Sequence, residues 1–159
     1  MFDRYREDWR RWAPVPIRMV IGYGFWEHGL AKLEKGPDNF VNIVHALGVP
    51  LPHLMAWATI LVELLGGLVM MLGAFVALAS MPMAVVLLVA MFGVHARFGF
   101  TSIKLIAITA DGPTFGPPGI ETDLLYLAGL ATLVLGGPGP LAIDNWLSRR
   151  RNARLSEAP

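Results

Sequence analysis

The sequence has no cysteine and few charged residues. Cysteine is absent from all 159 residues, which excludes disulfide bonds, thiolate nucleophiles, and zinc or iron–sulfur sites with cysteine ligands. Charged residues make up 16% of the chain and hydrophobic residues 55%, whereas about 25% charged is usual for soluble domains. We therefore expect a membrane protein of one domain, in which any redox chemistry needs a bound cofactor, a quinone or a partner.

The few charges are concentrated at the two ends of the chain. Four arginines lie near the start and four near the end: Arg4, Arg6, Arg10, Arg11, Arg149, Arg150, Arg151 and Arg154. Short segments rich in Lys and Arg stay in the cytoplasm, so both termini are predicted to be cytoplasmic. Attraction to anionic lipid headgroups accounts for the basic tail, and we expect no binding to nucleic acid.

Between these ends lie four long apolar runs, at residues 14–33, 54–74, 76–98 and 120–135. About 20 helical residues span the hydrocarbon layer, so the first three runs fit and the fourth is short but sufficient with its flanks. None shows the period-two alternation of a membrane β-barrel. The predicted fold is an all-α membrane protein: a four-transmembrane-helix bundle over residues 14–144, with cytoplasmic basic segments at 1–13 and 145–159.

Two segments are then predicted to lie on the outer side. Residues 34–53 carry apolar side chains at helical spacing before Gly48 and Pro50, which predicts a short amphipathic helix on the outer surface after the first span. Residues 99–119 contain the turn-forming sequences Asp111-Gly112-Pro113 and Gly116-Pro117-Pro118-Gly119. This second segment is either a lid or an ordinary loop.

Glu63 is the clearest candidate for a functional residue, because it lies near the middle of the second run. A charged side chain in the bilayer centre costs roughly 2.5–3.5 kcal/mol on insertion scales, so it needs a partner or a purpose. Gly66 and Gly67 share its helix face, which should therefore turn toward the bundle. Glu63 is either a structural carboxylate, paired or kept protonated, or a group for proton transfer or ligand binding.

The other ionisable groups gather toward the outer end of the bundle. They are Glu27, His28, Lys32, His95, Arg97, Glu121 and Asp123. The pattern suggests a polar cavity open to the outside with Glu63 at its floor, although Lys32, Arg97, Glu121 and Asp123 could each be an interfacial anchor. In the inner half only Arg18 remains, near enough to the end of its helix to extend toward the headgroups.

The candidate ligand-binding set is thus Glu63, His28, Lys32, Glu27, His95, Arg97 and Glu121, and Glu63 and His28 are the candidates for a catalytic role. His28 and His95 could in principle hold a metal or a b-type haem. They lack a ligand-spacing motif, so we expect neither a metal nor a haem, and no covalent cofactor.

Several short motifs together resemble the DoxX family of small bacterial membrane proteins. The first runs from Arg18 through Glu27-His28-Gly29 to Lys32-Leu33. The later ones are Leu47-Gly48-Val49-Pro50, Glu63-Leu64-Leu65-Gly66-Gly67 with Gly73, and Glu121 with the segment Gly137-Pro138-Gly139-Pro140-Leu141-Ala142-Ile143-Asp144. No single motif is specific to the family, but the occurrence of all of them in this order along the chain is specific.

The resemblance implies a bacterial inner-membrane protein linked to redox chemistry. Relatives include a subunit of a thiosulfate:quinone oxidoreductase, and others are associated with membrane oxidoreductase complexes, while most have no established activity. By this analogy the chain would be an accessory or quinone-interacting subunit of a membrane oxidoreductase or respiratory assembly, with membrane lipids and a redox partner around it. Whether it is itself an enzyme stays open, and it would not be a complete one. The alternatives are a structural or scaffolding subunit of a larger complex, or a small-molecule or lipid transporter.

Overall fold

Helices make up most of the computed structural model, which describes residues 9–156. The long helices are α1 (Pro14–Glu34), α3 (Pro52–Leu72), α4 (Val76–Ala90) and α5 (Glu121–Gly136), and the others are α2 (Pro37–Ala46) and α6 (Ile143–Ser156). Helix α4 continues as a π-helical turn, Met91–His95, and a 3-10 turn, Ala96–Phe98. Much of the predicted basic segment 1–13, and the end of the predicted tail, lie outside the described residues.

Two helices within the described residues are long and apolar enough to cross a membrane. They are Pro52–Leu72 and Val76–Phe98, which match the second and third predicted spans. The first and fourth runs also form helices, α1 and α5, but α5 has only 16 residues and neither meets the same criterion of length and composition. The prediction of four helical segments in these places is correct, whereas the prediction that all four cross the membrane stays a prediction.

The four long helices form an antiparallel ring in the order α1, α3, α4, α5, since each packs against the next and α5 packs against α1. The α1–α3 contact is especially close. A methyl group built on Gly22 would lie 2.7 Å from the carbonyl oxygen of Gly67, so no larger side chain fits at this crossing. Such small residues let helix backbones approach in a membrane. As predicted, the face of α3 carrying Glu63, Gly66 and Gly67 is buried.

One half of the ring has a packed apolar core. We call it the filled half: it contains the start of α1, the end of α3, the start of α4 and the end of α5. Its buried cluster is Ile21, Phe25, Met70, Val76, Met83, Leu130 and Leu133. Met70 and Met83 have no exposed surface, so this half is densely packed where the four helices meet.

The end of the filled half is closed by the segment that follows α5. Arg18 is only 3% exposed, and its Nη1 donates a hydrogen bond to the carbonyl oxygen of Pro138 at 2.9 Å. Asp144 accepts hydrogen bonds from the backbone N–H groups of Phe75 and Val76 at 2.7 and 3.0 Å, and so caps the N-terminus of α4. The expectation that Arg18 extends to the headgroups is wrong, because the chain after α5 folds back over it.

Helix α2 confirms the short helix predicted after the first run. It packs against α3 and α1, and it buries Val41 and Val44 against Ala56 of α3 in a small cluster separate from the main core. Positive φ angles at Gly36 and Gly48 turn the chain at its two ends, a conformation that glycine adopts without strain.

The all-α prediction is wrong for residues 99–119, which contain an antiparallel hairpin of β1 (Leu105–Thr109) and β2 (Gly112–Phe115). A two-residue turn, Ala110-Asp111, joins the strands. Every residue of β1 is exposed. The sequence carries the signal for a hairpin, because a run rich in β-branched residues directly precedes Asp111-Gly112, but the turn-forming pair alone predicts only a loop.

Candidate ligand-binding site

The buried carboxylate of Glu63 is held by Lys32 across the α1–α3 contact. Lys32 Nζ donates hydrogen bonds to Oε1 and Oε2 of Glu63 at 2.8 and 2.6 Å, and Glu63 is 6% exposed. The Lys32 ammonium also lies 5.0 Å from the centre of the Phe40 ring of α2, within the range of a cation–π contact. The paired alternative for Glu63 is therefore the one observed, and Lys32 is a partner of Glu63 and not an interfacial anchor.

A second close pair, between a histidine and a buried carboxyl group, joins the π-helical turn after α4 to the start of α5. His95 Nδ1 lies 2.7 Å from Oδ2 of Asp123, whose side chain is 7% exposed. His95 ends the π-helical turn Met91–His95. Such a turn inserts an extra residue into a helix, and each residue rotates the side-chain direction by about 100°. The turn therefore sets the direction in which His95 faces Asp123.

Both pairs of side chains line one cavity, of about 490 Å³. It occupies what we call the hollow half of the ring, which contains the end of α1, the start of α3, the end of α4 and the start of α5. The polar lining residues are His28, Lys32, Thr59, Glu63, His95, Thr122, Asp123 and Tyr126. Helix α2 adds Phe40, Ile43, Val44 and Leu47, so a mixed polar and apolar space lies beneath this short helix.

Aromatic packing marks the boundary between the two halves. The rings of Phe25 and Tyr126 meet edge to face, with centroids 5.8 Å apart, and both side chains line the cavity. The Tyr126 hydroxyl lies directly over Gly24 of α1, where a Cβ atom would collide with it. Gly24 therefore makes room for the tyrosine at the base of the cavity.

The two carboxyl groups that line the cavity both have partners. Glu63 and Asp123, its two carboxyl groups, are each paired with a basic side chain, and Lys32 is held by both oxygens of Glu63. Opposite charges as close as those of Lys32 and Glu63 leave little net field around that pair. This part of the cavity suits a neutral ligand group with hydrogen-bonding atoms better than a free anion or cation.

Comparison with known proteins places the chain in a family. The sequence model described as DoxX matches residues 13–96, more than half of the chain, and this region includes α1, α2, α3 and the π-helical turn. The chain belongs to the DoxX family. Within the matched region lie His28, Lys32, Glu63 and His95, four of the residues that line the cavity of this DoxX protein.

Individual relatives extend the similarity over most of the DoxX protein. An uncharacterized membrane protein of Mycobacterium tuberculosis is 30% identical over 150 residues, covering 87% of this chain and 83% of its own length. A protein of Haemophilus influenzae is 28% identical, covering 87% of this chain and 93% of its own. CatD of Bacillus subtilis, provisionally named an oxidoreductase, is 26% identical, covering 88% and 91%. No solved structure gives a significant match.

Three of the predicted site residues lie away from the cavity of this DoxX protein. Glu27 is exposed on α1, beside Tyr23. Arg97 is exposed and its guanidinium lies 4.8 Å from the Phe98 ring. Glu121 accepts a hydrogen bond from the backbone N–H of Ser102 at 2.9 Å, and so fastens the residues before the hairpin to the start of α5. The structure brings together Glu63, His28, Lys32 and His95 only.

Asp123 and Tyr126 belong to the cavity but were not among the predicted site residues. Asp123 is three residues before Tyr126, a spacing that places both on one face of α5. Two polar side chains three residues apart on one predicted helix are the signal that identifies them.

Within the described residues, no group of three or more His, Asp or Glu side chains is placed to hold a metal ion.

Proposed function

We propose that this DoxX-family membrane protein binds a neutral, lipid-soluble molecule of the quinone class in the cavity of its hollow half, as an accessory subunit of a membrane oxidoreductase or respiratory assembly. The observation that carries the proposal is the cavity itself. Its volume of about 490 Å³ lies within the range of roughly 300–1,000 Å³ found for small-molecule sites, and its apolar walls carry a few convergent polar groups.

The residues present fit a quinone ring. A quinone is neutral and planar and accepts hydrogen bonds at two opposite oxygens, and it supplies reversible two-electron chemistry when bound. Lys32 lies at the cavity wall and bonds Glu63 and the His28 carbonyl oxygen, so it can share an N–H group with one ligand oxygen. The Tyr126 hydroxyl also lines the cavity and can donate to another. Phe25, Phe40 and Tyr126 supply aromatic surface for the ring. In this setting the electrons would come from a redox partner protein. The chain itself has no cysteine to hold an iron–sulfur cluster.

The proposed setting is the bacterial inner membrane, with α1, Pro52–Leu72, Val76–Phe98 and α5 all spanning it and both termini in the cytoplasm. The hollow half then faces the outer side and the filled half the cytoplasm. Lys32 of α1 is paired with Glu63 between two helices. This pairing supports a membrane span at α1, since paired charges are tolerated inside a membrane where isolated charges are not. The provisional naming of the Bacillus relative as an oxidoreductase supports the redox setting.

Binding of a quinone to the purified protein in liposomes tests the proposal. We expect saturable binding of a lipid quinone, weakened by roughly tenfold or more in Lys32→Met, since loss of a hydrogen bond from a charged donor costs about 1.5–3 kcal/mol. Glu27→Gln, on the same helix but outside the cavity, is the matched control and should bind as the parent does. Binding that is absent, or equally affected by both changes, would contradict the proposal.

A structural subunit is the second candidate, because the Lys32–Glu63 pair also joins α1 to α3 and the His95–Asp123 hydrogen bond joins the end of α4 to α5. Glu63→Gln separates the two functions. It leaves Lys32 without its carboxylate partner in a shielded site, which is costly. If the variant loses quinone binding while its unfolding free energy is nearly unchanged, ligand binding is the role; if it loses the folded bundle, the pair is chiefly structural.

A further inference from the structure

The cavity has an opening between α2 and α4. Helix α2 packs against α3 and α1 but makes no comparable contact with α4 or α5. The lining residues along this gap are Ile43 and Leu47 of α2 and Val85 and Val89 of α4. All four are also exposed to the surroundings, Val85 by 59% and Val89 by 51%, so the cavity reaches the protein surface along this line.

The rim of the opening is aliphatic, whereas the polar groups lie deeper. Val85 and Val89 are within the helix Val76–Phe98, which is long and apolar enough to span a membrane, and Val85 is near its middle. An opening at that depth faces the hydrocarbon layer. The Lys32–Glu63 pair lies behind it, between α1 and α3. The site is thus polar inside and apolar toward the lipid.

We infer that the ligand is an amphiphile whose neutral polar head is held beside Lys32 and Glu63 and whose long apolar tail passes out between α2 and α4 into the bilayer. This inference rests on the proposed quinone-binding function and adds the shape of the ligand and its route. A space of about 490 Å³ holds a substituted ring with the first part of a tail, but not a long polyisoprenoid chain. The tail gains little by burial in protein, because lipid is equally apolar, and so it can remain outside.

A bulky group attached reversibly to the rim, which we call the plug, tests the route of the tail. Because the chain has no cysteine, a thiol reagent will attach the plug only to a cysteine that is introduced at the rim. Val89→Cys places a thiol on the rim, and a benzyl methanethiosulfonate reagent attaches a bulky group that a reducing agent later removes. Leu88→Cys is the matched control, since Leu88 is its neighbour on α4, is also exposed, and does not line the cavity. Both variants are studied as full-length protein in liposomes.

Two probes are compared: a quinone with a long polyisoprenoid tail, and the same ring with a methyl group in its place. We expect the plug on Val89→Cys to weaken binding of the tailed quinone by about tenfold or more, and reduction to restore it. The ring without a tail should be affected much less, and the modified Leu88→Cys protein should bind both normally.

The possible outcomes test the route of the tail and the proposed quinone binding separately. If the unmodified variants bind both probes saturably and the plug changes neither affinity, or changes both equally, the tail does not pass between α2 and α4 and the inference is overturned while the proposed function stands. If neither probe binds saturably to the unplugged protein, the proposed function fails and the inference falls with it. Selective, reversible loss of the tailed probe supports both.

Discussion

The filled and hollow halves of the ring are built from the same four helices but are held together differently. In the filled half, buried side chains such as Met70, Met83 and Leu133 meet at the centre. In the hollow half the centre is open, and the Lys32–Glu63 and His95–Asp123 pairs connect the helices around it. The difference shows that dense packing of one half is compatible with an open cavity in the other half. It predicts that changes in the filled half mainly affect stability, and changes in the hollow half mainly affect binding.

The largest loss is expected from Gly67→Leu. Its side chain would meet the backbone of Gly22 and Trp26 on α1, and overpacking against backbone should cost at or beyond the ~3 kcal/mol upper end of such changes. Unfolding of the bundle in mixed detergent micelles measures the effect. Gly136→Leu, where no atom lies within 4 Å of the added Cβ, is the control, and an equal loss in both variants would contradict this account.

Met70→Ala should have the next largest effect, because Met70 is fully buried in the filled half. We expect a loss of about 2 kcal/mol in unfolding free energy, at the low end for buried large-to-small changes since lipid competes for apolar surface. The same unfolding assay applies. Leu68→Ala, on the exposed face of the same helix, should change stability by less than about 0.5 kcal/mol; similar losses in the two would show that the filled half is not tightly packed.

Asp144→Ala should destabilise the protein by about 1 kcal/mol through loss of the cap on α4. Asp144→Asn keeps an acceptor oxygen and should lose less. Hydrogen exchange at the Phe75 and Val76 amides measures the cap directly, and it should become faster in the alanine variant. Ser148→Ala, which removes only a hydroxyl bonded to the backbone of α6, serves as the control; unchanged exchange in Asp144→Ala would rule out the cap.

The smallest effect on stability is expected from Ala90→Leu, because Ala90 lines the cavity and the added atoms have room. Stability should change by less than about 0.5 kcal/mol, while quinone affinity falls because the cavity is smaller. Ala74→Leu, at a buried position near the end of the filled half, makes the matched comparison and should cost about 1–3 kcal/mol. Equal losses of unfolding free energy in the two variants would show that the hollow half is packed as tightly as the filled half.

The sequence predicted the positions of the helices and singled out Glu63 as a carboxylate that needs a partner or a purpose, for sound physical reasons. Long apolar runs report helix positions directly, and a carboxylate within such a run indicates a partner or a purpose. The sequence could not predict which partner Glu63 has. Lys32 reaches it because the Gly22–Gly67 contact sets how closely, and at what level, α1 and α3 cross, and such a crossing emerges only from tertiary packing.

Local irregularities explain the remaining errors. The direction of His95 depends on the π-helical turn, which a regular helical pattern does not contain, so its partnership with Asp123 was not predicted. Arg18 was expected at the surface because a position near a helix end usually allows it. The chain after α5 returns over that end and supplies the Pro138 carbonyl, a long-range contact that no local pattern records.

The cap on α4 also has a consequence for the order in which the protein is made. Asp144 lies 69 residues after Phe75, beyond the whole of α4, the hairpin and α5. Since a chain is synthesised from its N-terminus, the start of α4 has no capping carboxylate until α5 has left the ribosome. The turn between α3 and α4 is therefore secured last, and a nascent chain that stops before Asp144 would hold all four long helices without their closing contact.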